Sequence, residues 1–380
     1  MKINGVYVIS DGKTTSVPED ITVKNGIITA IEPSSEYPEK PLFATAGFID
    51  EHTHGGYGHD YFEATQEAAD AVAKFHSDHG TTSFVATAVA TKLEDLDIQI
   101  SKIRNLKHNY ADLLGLHMEG PFISVKKKGA QPEENIKAEY ETADGKFFEK
   151  NADLIRIVTL CPHAGNAEKL VEKLVSLGIK AHAGHDDSIE PEILKCVERG
   201  LDGATHLYCA SSGLARRKGD ITKYAGLNET ALITDSVYAE VIADDIHIPR
   251  SIFTLILKNK GYRRIMLVSD SLSAAGMPVG NYKLGTDIDI YNNGKVALLA
   301  DFSALAGSIT PISKMVEILV GYGVPIAEAC YMGNEAPAKH LGLQDRGTIA
   351  VGMRADICLL DEKGRLKKVI LASSSTGKNS

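Results

Sequence analysis

From residue 42 to residue 268 the chain repeats one unit: a short apolar strand-like run followed by a segment of helical periodicity. Eight candidate strands lie at Leu42–Ile49, Thr82–Val89, Leu113–Met118, Ile155–Leu160, Ile179–Ala183, Gly203–Thr205, Tyr238–Ala243 and Ile265–Val268. Helical spacing fills the gaps. Ala68, Ala71, Val72 and Phe75 stand at i, i+3, i+4 and i+7 before Gly80, and Leu170, Leu174 and Leu177 precede Gly178. Such alternation requires parallel strands joined by crossover helices, and eight units predict a closed (β/α)8 barrel.

The chain ends have another texture. Val6–Ile9, Ile21–Val23 and Ile27–Ile31 read as strands separated by Asp11-Gly12 and Asn25-Gly26, pairs suited to hairpin turns. Ile349–Val351, Ile357–Leu360 and Val369–Leu371 repeat the style, broken by Gly352 and Gly364. The predicted architecture is α/β: a TIM-like barrel over residues 47–343, with a small β-sandwich domain built from residues 1–46 and 344–380. The polar tail 373–380 is expected to fray.

Composition narrows the function. The 380 residues, 43% hydrophobic and 24% charged, suffice for a full core. A net charge of −9 argues against non-specific nucleic-acid binding. Lys126-Lys127-Lys128, the compact basic run, reads as a solvated loop. Five cysteines, an odd number with no close pair, predict neither a disulfide framework nor a zinc ribbon. The start lacks the apolar run of a signal peptide, and no stretch reaches the ~18 apolar residues of a membrane span. These features predict a cytoplasmic protein without nucleic-acid or membrane partners.

Metal-ligand residue types collect where the predicted strands end, the rim at which such barrels place their chemistry. His52 and His54 close the first strand two residues apart, so both imidazoles point the same way. Glu119 ends the third strand ahead of Gly120-Pro121. His117, two residues earlier, either shares the face of Glu119 or, the favoured reading, is a hydrogen-bonded histidine below the site. His185 follows the fifth strand, His206 the sixth and Asp270 the eighth. Imidazoles with carboxylates suit a divalent first-row ion such as zinc, iron or manganese. The set exceeds the three protein ligands of one catalytic ion, so Glu119 could bridge two. A metal-activated hydroxide would be the nucleophile, with Asp270 as general base and then general acid. His59, His76, His79, His108, His163, His182 and His340 are read as non-ligands; His182, three residues before His185, should face away from it.

The motifs resemble one family. His117–Phe122, Gly184-His185, Thr205–Leu207, Ile242–Pro249, Leu267–Asp270, Leu305–Ser308 and Gly352–Asp356 follow in the order found in N-acetylglucosamine-6-phosphate deacetylases of the amidohydrolase superfamily. The resemblance covers nearly the whole chain. It implies hydrolysis of N-acetyl-D-glucosamine 6-phosphate to glucosamine 6-phosphate and acetate. Glu119, His185 and His206 would hold the principal ion, His52 and His54 a second, and Asp270 would transfer protons. His247, Cys209, Ala210 and Ala306 would line the substrate site. Arg217 would hold the phosphate, an arginine that can come from a partner subunit, so a homodimer is implied. Two positions depart from the family pattern. Cys209 stands where Asn is usual and cannot offer its amide. Gln131 stands where a histidine polarises the acetyl carbonyl, and donates only an uncharged hydrogen bond. The rival readings are an amidohydrolase with the same metals acting on another N-acyl substrate, such as a different acetylated hexosamine phosphate or an N-acyl amino acid, and an inactive relative that senses sugar phosphate.

Overall fold

The computed structural model describes residues 1–285 and 287–372, so the tail 373–380 lies outside the described residues. Eight parallel strands form one sheet in chain order: β1 (Phe48–Thr53), β2 (Thr81–Ala88), β3 (Asp112–Glu119), β4 (Ile155–Leu160), β5 (Lys180–Ala183), β6 (Gly203–Ala204), β7 (Tyr238–Val241) and β8 (Ile265–Leu267). The segment after β8 closes the barrel onto β1. Ser271 forms a parallel bridge with Thr53, and the Asp270 amide donates to the His52 carbonyl at 2.8 Å. Crossover helices such as Gln66–Asp78 and Ala167–Ser176 fall where the periodicity places them. They bury Val72, Phe75, Leu170 and Leu174 against the strands.

The first strand differs from expectation. Leu42–Ile49 is not one barrel strand but breaks at Gly47. Phe43–Ala46 pairs with Lys2–Ser10 and Ile357–Leu360, and the barrel begins only at Phe48. A Cβ on Gly47 would stand 2.2 Å from Thr82 Oγ1, so only glycine lets the chain pass from one sheet to the other here. Both chain ends build the second layer. Strand Lys2–Ser10 pairs through Lys2, Ile3 and Val6 with Glu19–Lys24, then through Tyr7 and Val8 with Phe43–Ala46. The switch falls between Val6 and Tyr7, just after the irregularity at Gly5, whose φ of +63° bends the strand that serves both sheets of a sandwich. Ile3, Val8, Ile21, Ile28, Ile357 and Leu359 fill its core. Asp11-Gly12 and Asn25-Gly26 all have positive φ, the backbone that tight hairpin turns demand.

One element was not anticipated. After β8 the chain inserts a four-stranded antiparallel sheet, Gly280–Leu284, Ile288–Asn292, Ala297–Leu299 and Leu305–Gly307. Its last strand returns to the rim, where the Ser308 amide donates to the Asp270 carbonyl at 2.9 Å. Among the described residues, no helix is long and apolar enough to cross a membrane.

Candidate active site

The six rim residues converge. Glu119, at the end of β3, presents Oε1 at 2.9 Å from both His185 Nε2 and His206 Nε2. His52 Nε2 lies 3.6 Å from the same oxygen, and His54 Nε2 lies 3.5 Å from Glu119 Oε2. Asp270 Oδ1 faces His54 Nε2 at 3.3 Å and His52 Nε2 at 3.5 Å. All six are at most 8% exposed. Three of them, His185, His206 and Asp270, have φ between 31° and 46°, a left-handed backbone that costs non-glycine residues ~1–3 kcal/mol each.

The far side of each ring shows which nitrogen is free. His52 Nδ1 lies 3.1 Å from Glu240 Oε2, His185 Nδ1 2.8 Å from the Lys127 carbonyl, and His206 Nδ1 3.1 Å from the Cys209 carbonyl. An acceptor at Nδ1 fixes the proton there and leaves Nε2 as a lone pair for a metal. His52 Nε2 is buried and has no hydrogen-bond partner, and two triads, His52–His54–Glu119 and Glu119–His185–His206, each bring ligand atoms within 4.8 Å of one another. The donor set therefore fits one or two divalent ions sharing Glu119.

Electrostatics show a site that gathers positive charge, here as protons on its imidazoles. Burial works against charge on every group here, yet the neighbouring imidazoles hold Glu119 well below the usual carboxylate range. Burial would likewise depress His52, but the charges of Glu119 and Asp270 raise it well above the usual imidazole value. A buried site with this much negative charge calls for compensating cations.

The cluster floors a cavity of about 420 Å³, which Gln131, Cys209, Ala210, His247 and Ala306 also line. His247 is held by Asp244, whose Oδ2 accepts from Nδ1 at 2.7 Å. Gln131 lines the cavity and also holds the cluster: its Nε2 donates to Glu119 Oε2 at 2.6 Å while its Oε1 accepts from the Ala90 amide, so it orients the Glu119 carboxylate. First burial and then the charges of Asp270 and Asp244 push the Cys209 thiol up to about 12, so it stays neutral. Arg217 is not brought to the cavity of its own chain; its guanidinium pairs with Glu192 and donates to the Asp187 carbonyl. Conversely Lys126 and Lys127, read as a solvated loop, line the cavity, with Lys126 paired to Asp187 at 2.8 Å. His117 lies below, between Thr87 Oγ1 at 3.3 Å and Thr159 Oγ1 at 2.7 Å. Glu240 escaped notice, although an acid inside the apolar run Val237–Ala243 signals a buried charge with a specific partner.

Residues 43–377 match the amidohydrolase family, and the chain belongs to it. The N-acetylglucosamine-6-phosphate deacetylase of Bacillus subtilis (strain 168) is 32% identical over 367 residues, 94% of this chain and 89% of that protein. The solved structure of the Thermotoga maritima N-acetylglucosamine-6-phosphate deacetylase superposes with a TM-score of 0.85 at 30% identity, covering 98% of each chain. That of a mutant Mycobacterium smegmatis N-acetyl-D-glucosamine-6-phosphate deacetylase, in complex with N-acetyl-D-glucosamine-6-phosphate, gives 0.88 at 26% identity and the same coverage. Within the family, the chain groups with the N-acetylglucosamine-6-phosphate deacetylases and is a metal-dependent amide hydrolase.

Proposed function

We propose that this chain hydrolyses the acetamide of N-acetyl-D-glucosamine 6-phosphate, releasing acetate and glucosamine 6-phosphate. The observation that carries the reading is the convergence of Glu119, four imidazoles and Asp270 at the floor of one cavity. Glu119, His185 and His206 would hold the principal ion, and His52 and His54, with Glu119 shared, a second; zinc, iron and manganese all suit these donors. A divalent ion bound there polarises the amide carbonyl and lowers the pKa of water. The remaining steps belong to the chain. Asp270 lies 3.3 Å from His54 Nε2 and 3.5 Å from His52 Nε2, where burial works against its charge but the positive charge gathered at those two rings holds its carboxyl below the usual range, and it would accept the proton of the attacking water. It then delivers that proton to the amine nitrogen as the C–N bond breaks. His247, its Nδ1 committed to Asp244, offers Nε2 to the sugar.

The phosphate would sit toward the cationic rim of Lys126 and Lys127. Arg217 pairs with Glu192 outside its own cavity, and in this reading it serves the phosphate of a partner's site in a homodimer. We place the enzyme in the cytoplasm, in keeping with five free cysteines. The test is acetate release from N-acetylglucosamine 6-phosphate, its galactosamine epimer and unphosphorylated N-acetylglucosamine. The reading expects the first to have the highest kcat/KM and the last to lose at least a hundredfold. Equal rates with and without phosphate, or a preference for an N-acyl amino acid, would overturn it.

A further inference from the structure

A second constellation of ligand-type side chains lies deeper in the barrel. Glu51, His182 and His340, each fully buried, bring ligand atoms within 4.8 Å of one another. His182 sits on β5, three residues before His185, and its ring covers Gly203 on β6, where a Cβ would come within 2.2 Å of it. His340 comes from helix Glu335–Leu341, packed against β1 and β8. Sequence spacing gave neither histidine a ligand role.

The hydrogen bonds decide what this cluster can hold. His182 Nδ1 lies 3.0 Å from Glu240 Oε1, and His340 Nδ1 lies 2.8 Å from Glu51 Oε2. A buried carboxylate at Nδ1 keeps the proton on that nitrogen and presents Nε2 as a lone pair. The two Nε2 atoms then face each other across 3.3 Å. Asp202 Oδ1 lies 3.5 Å from His340 Nε2, and its other oxygen is taken by Lys180 at 2.7 Å. Asp202 Oδ1 and Glu51 Oε1 are both buried atoms without a hydrogen-bond partner. Three acceptors, the two Nε2 atoms and Asp202 Oδ1, thus meet, an arrangement that is costly in a protein interior unless a cation or an added proton occupies the gap. With both imidazoles neutral, the carboxylates of Glu51, Glu240 and Asp202 against the ammonium of Lys180 leave a formal charge of −2, which one divalent ion neutralises.

We propose that this cluster is a structural divalent-cation site of the zinc class, separate from the catalytic centre. His182 and His340 are its imidazole ligands and the free oxygen of Asp202 its acidic one, with Glu240 and Glu51 holding the two rings from behind. The mixed nitrogen and oxygen donors select a borderline ion over calcium or magnesium. Asp202, whose side chain is 25% exposed, is the side from which an ion would enter. Glu240 joins the two centres, because its second oxygen orients the catalytic His52 at 3.1 Å.

The test counts metal rather than turnover, so it stands apart from the proposed deacetylation. Full-length protein is stripped with chelator, reloaded with excess zinc and desalted, and zinc per chain is measured for wild type, His340→Gln and Asp202→Asn. Wild type should carry one zinc per chain more than His340→Gln, and Asp202→Asn should lose that ion at lower chelator concentration. Anomalous diffraction at the zinc edge should place a peak between His182 and His340. Equal zinc counts in wild type and His340→Gln overturn the proposal. So does a wild-type crystal with filled catalytic positions and no peak between those rings, the result expected if a shared proton alone bridges them. The wild-type diffraction decides the matter even if the variants fail to fold.

Discussion

Replacing Asp270 by Asn separates the proposed catalytic group from the scaffold that carries it. The backbone at this position has a φ of 46°, a conformation asparagine tolerates well. Its main-chain bonds, amide to the His52 carbonyl at 2.8 Å and carbonyl to the Ser308 amide at 2.9 Å, do not involve the side chain. The amide oxygen of Asn can still occupy the position of Oδ1, 3.3 Å from His54 Nε2 and 3.5 Å from His52 Nε2. What disappears is the capacity to take a proton from water and return it to the amine. General acid–base catalysis contributes about 10²–10⁴ in rate, so kcat should fall by that factor, ~2.7–5.5 kcal/mol of barrier. Stability should stay within ~1 kcal/mol, as for a substitution that leaves the backbone unstrained. The assay pairs acetate release at saturating substrate with metal content and thermal unfolding on the same preparation. Turnover within tenfold of wild type, with metal retained, refutes the proton-transfer role. A loss of metal that tracks the loss of rate refutes it differently, by making Asp270 a ligand whose removal empties the site.

Three further outcomes follow from the geometry. Gln131→Leu removes the 2.6 Å donor to Glu119 Oε2, and loss of such a supporting bond should weaken metal binding by about 10–100-fold in calorimetric titration of the stripped protein; unchanged affinity would show that Glu119 orients itself. Gly203→Ala drives a methyl to 2.2 Å from the His182 ring and should cost ~1–3 kcal/mol in denaturant unfolding, the range for overpacked cores; a neutral result means the ring has room to move. His76 accepts no charge in the fold: burial, then the charge of His79, lowers its pKa to about 3, while Thr53 Oγ1 holds its Nε2 at 2.9 Å. Below an unfolded pKa of about 6.5 the unfolded chain binds a proton that the native chain refuses, so stability falls as pH falls, by ~2 kcal/mol between pH 6.5 and 5. His76→Gln should flatten that slope, and an unchanged slope would assign it to other groups.

The barrel was legible because buried parallel strands write themselves as apolar runs, and the candidate ligands because each stands where such a run stops. His52, His54, Glu119, His185, His206 and Asp270 needed only position along a strand to be found. What escaped notice depends on the partner rather than on the run. The break at Gly47 is set by Thr82 on the neighbouring strand, thirty-five positions away. The inserted sheet at 280–307 is built of short strands with exposed charges, such as Lys283 and Asp289, which alternate too weakly to stand out. The pairing of Arg217 with Glu192, twenty-five positions away, likewise leaves no local trace. Glu51 and His340 meet across 289 positions, a separation at which no local pattern speaks.

The catalytic and buried clusters share one construction rule. Every imidazole whose Nε2 faces a cluster, apart from His54, has its Nδ1 engaged: by Glu240 for His52 and His182, by Glu51 for His340, by main-chain carbonyls for His185 and His206. A carbonyl acceptor needs no residue of its own, but it requires the chain to turn back on itself. His185 and His206, which use carbonyls, also have positive φ, whereas His52, which uses a carboxylate, lies within a regular strand. The barrel thus engages Nδ1 by two routes, backbone strain at β5 and β6 or a buried acid reached from β1. Glu240 is where they meet, since its Oε2 accepts both from His52 Nδ1 and from the amide of His206 at 3.3 Å. That single oxygen therefore sets the orientation of one histidine from each triad around Glu119, which is why an acid in the middle of an apolar strand is tolerated there.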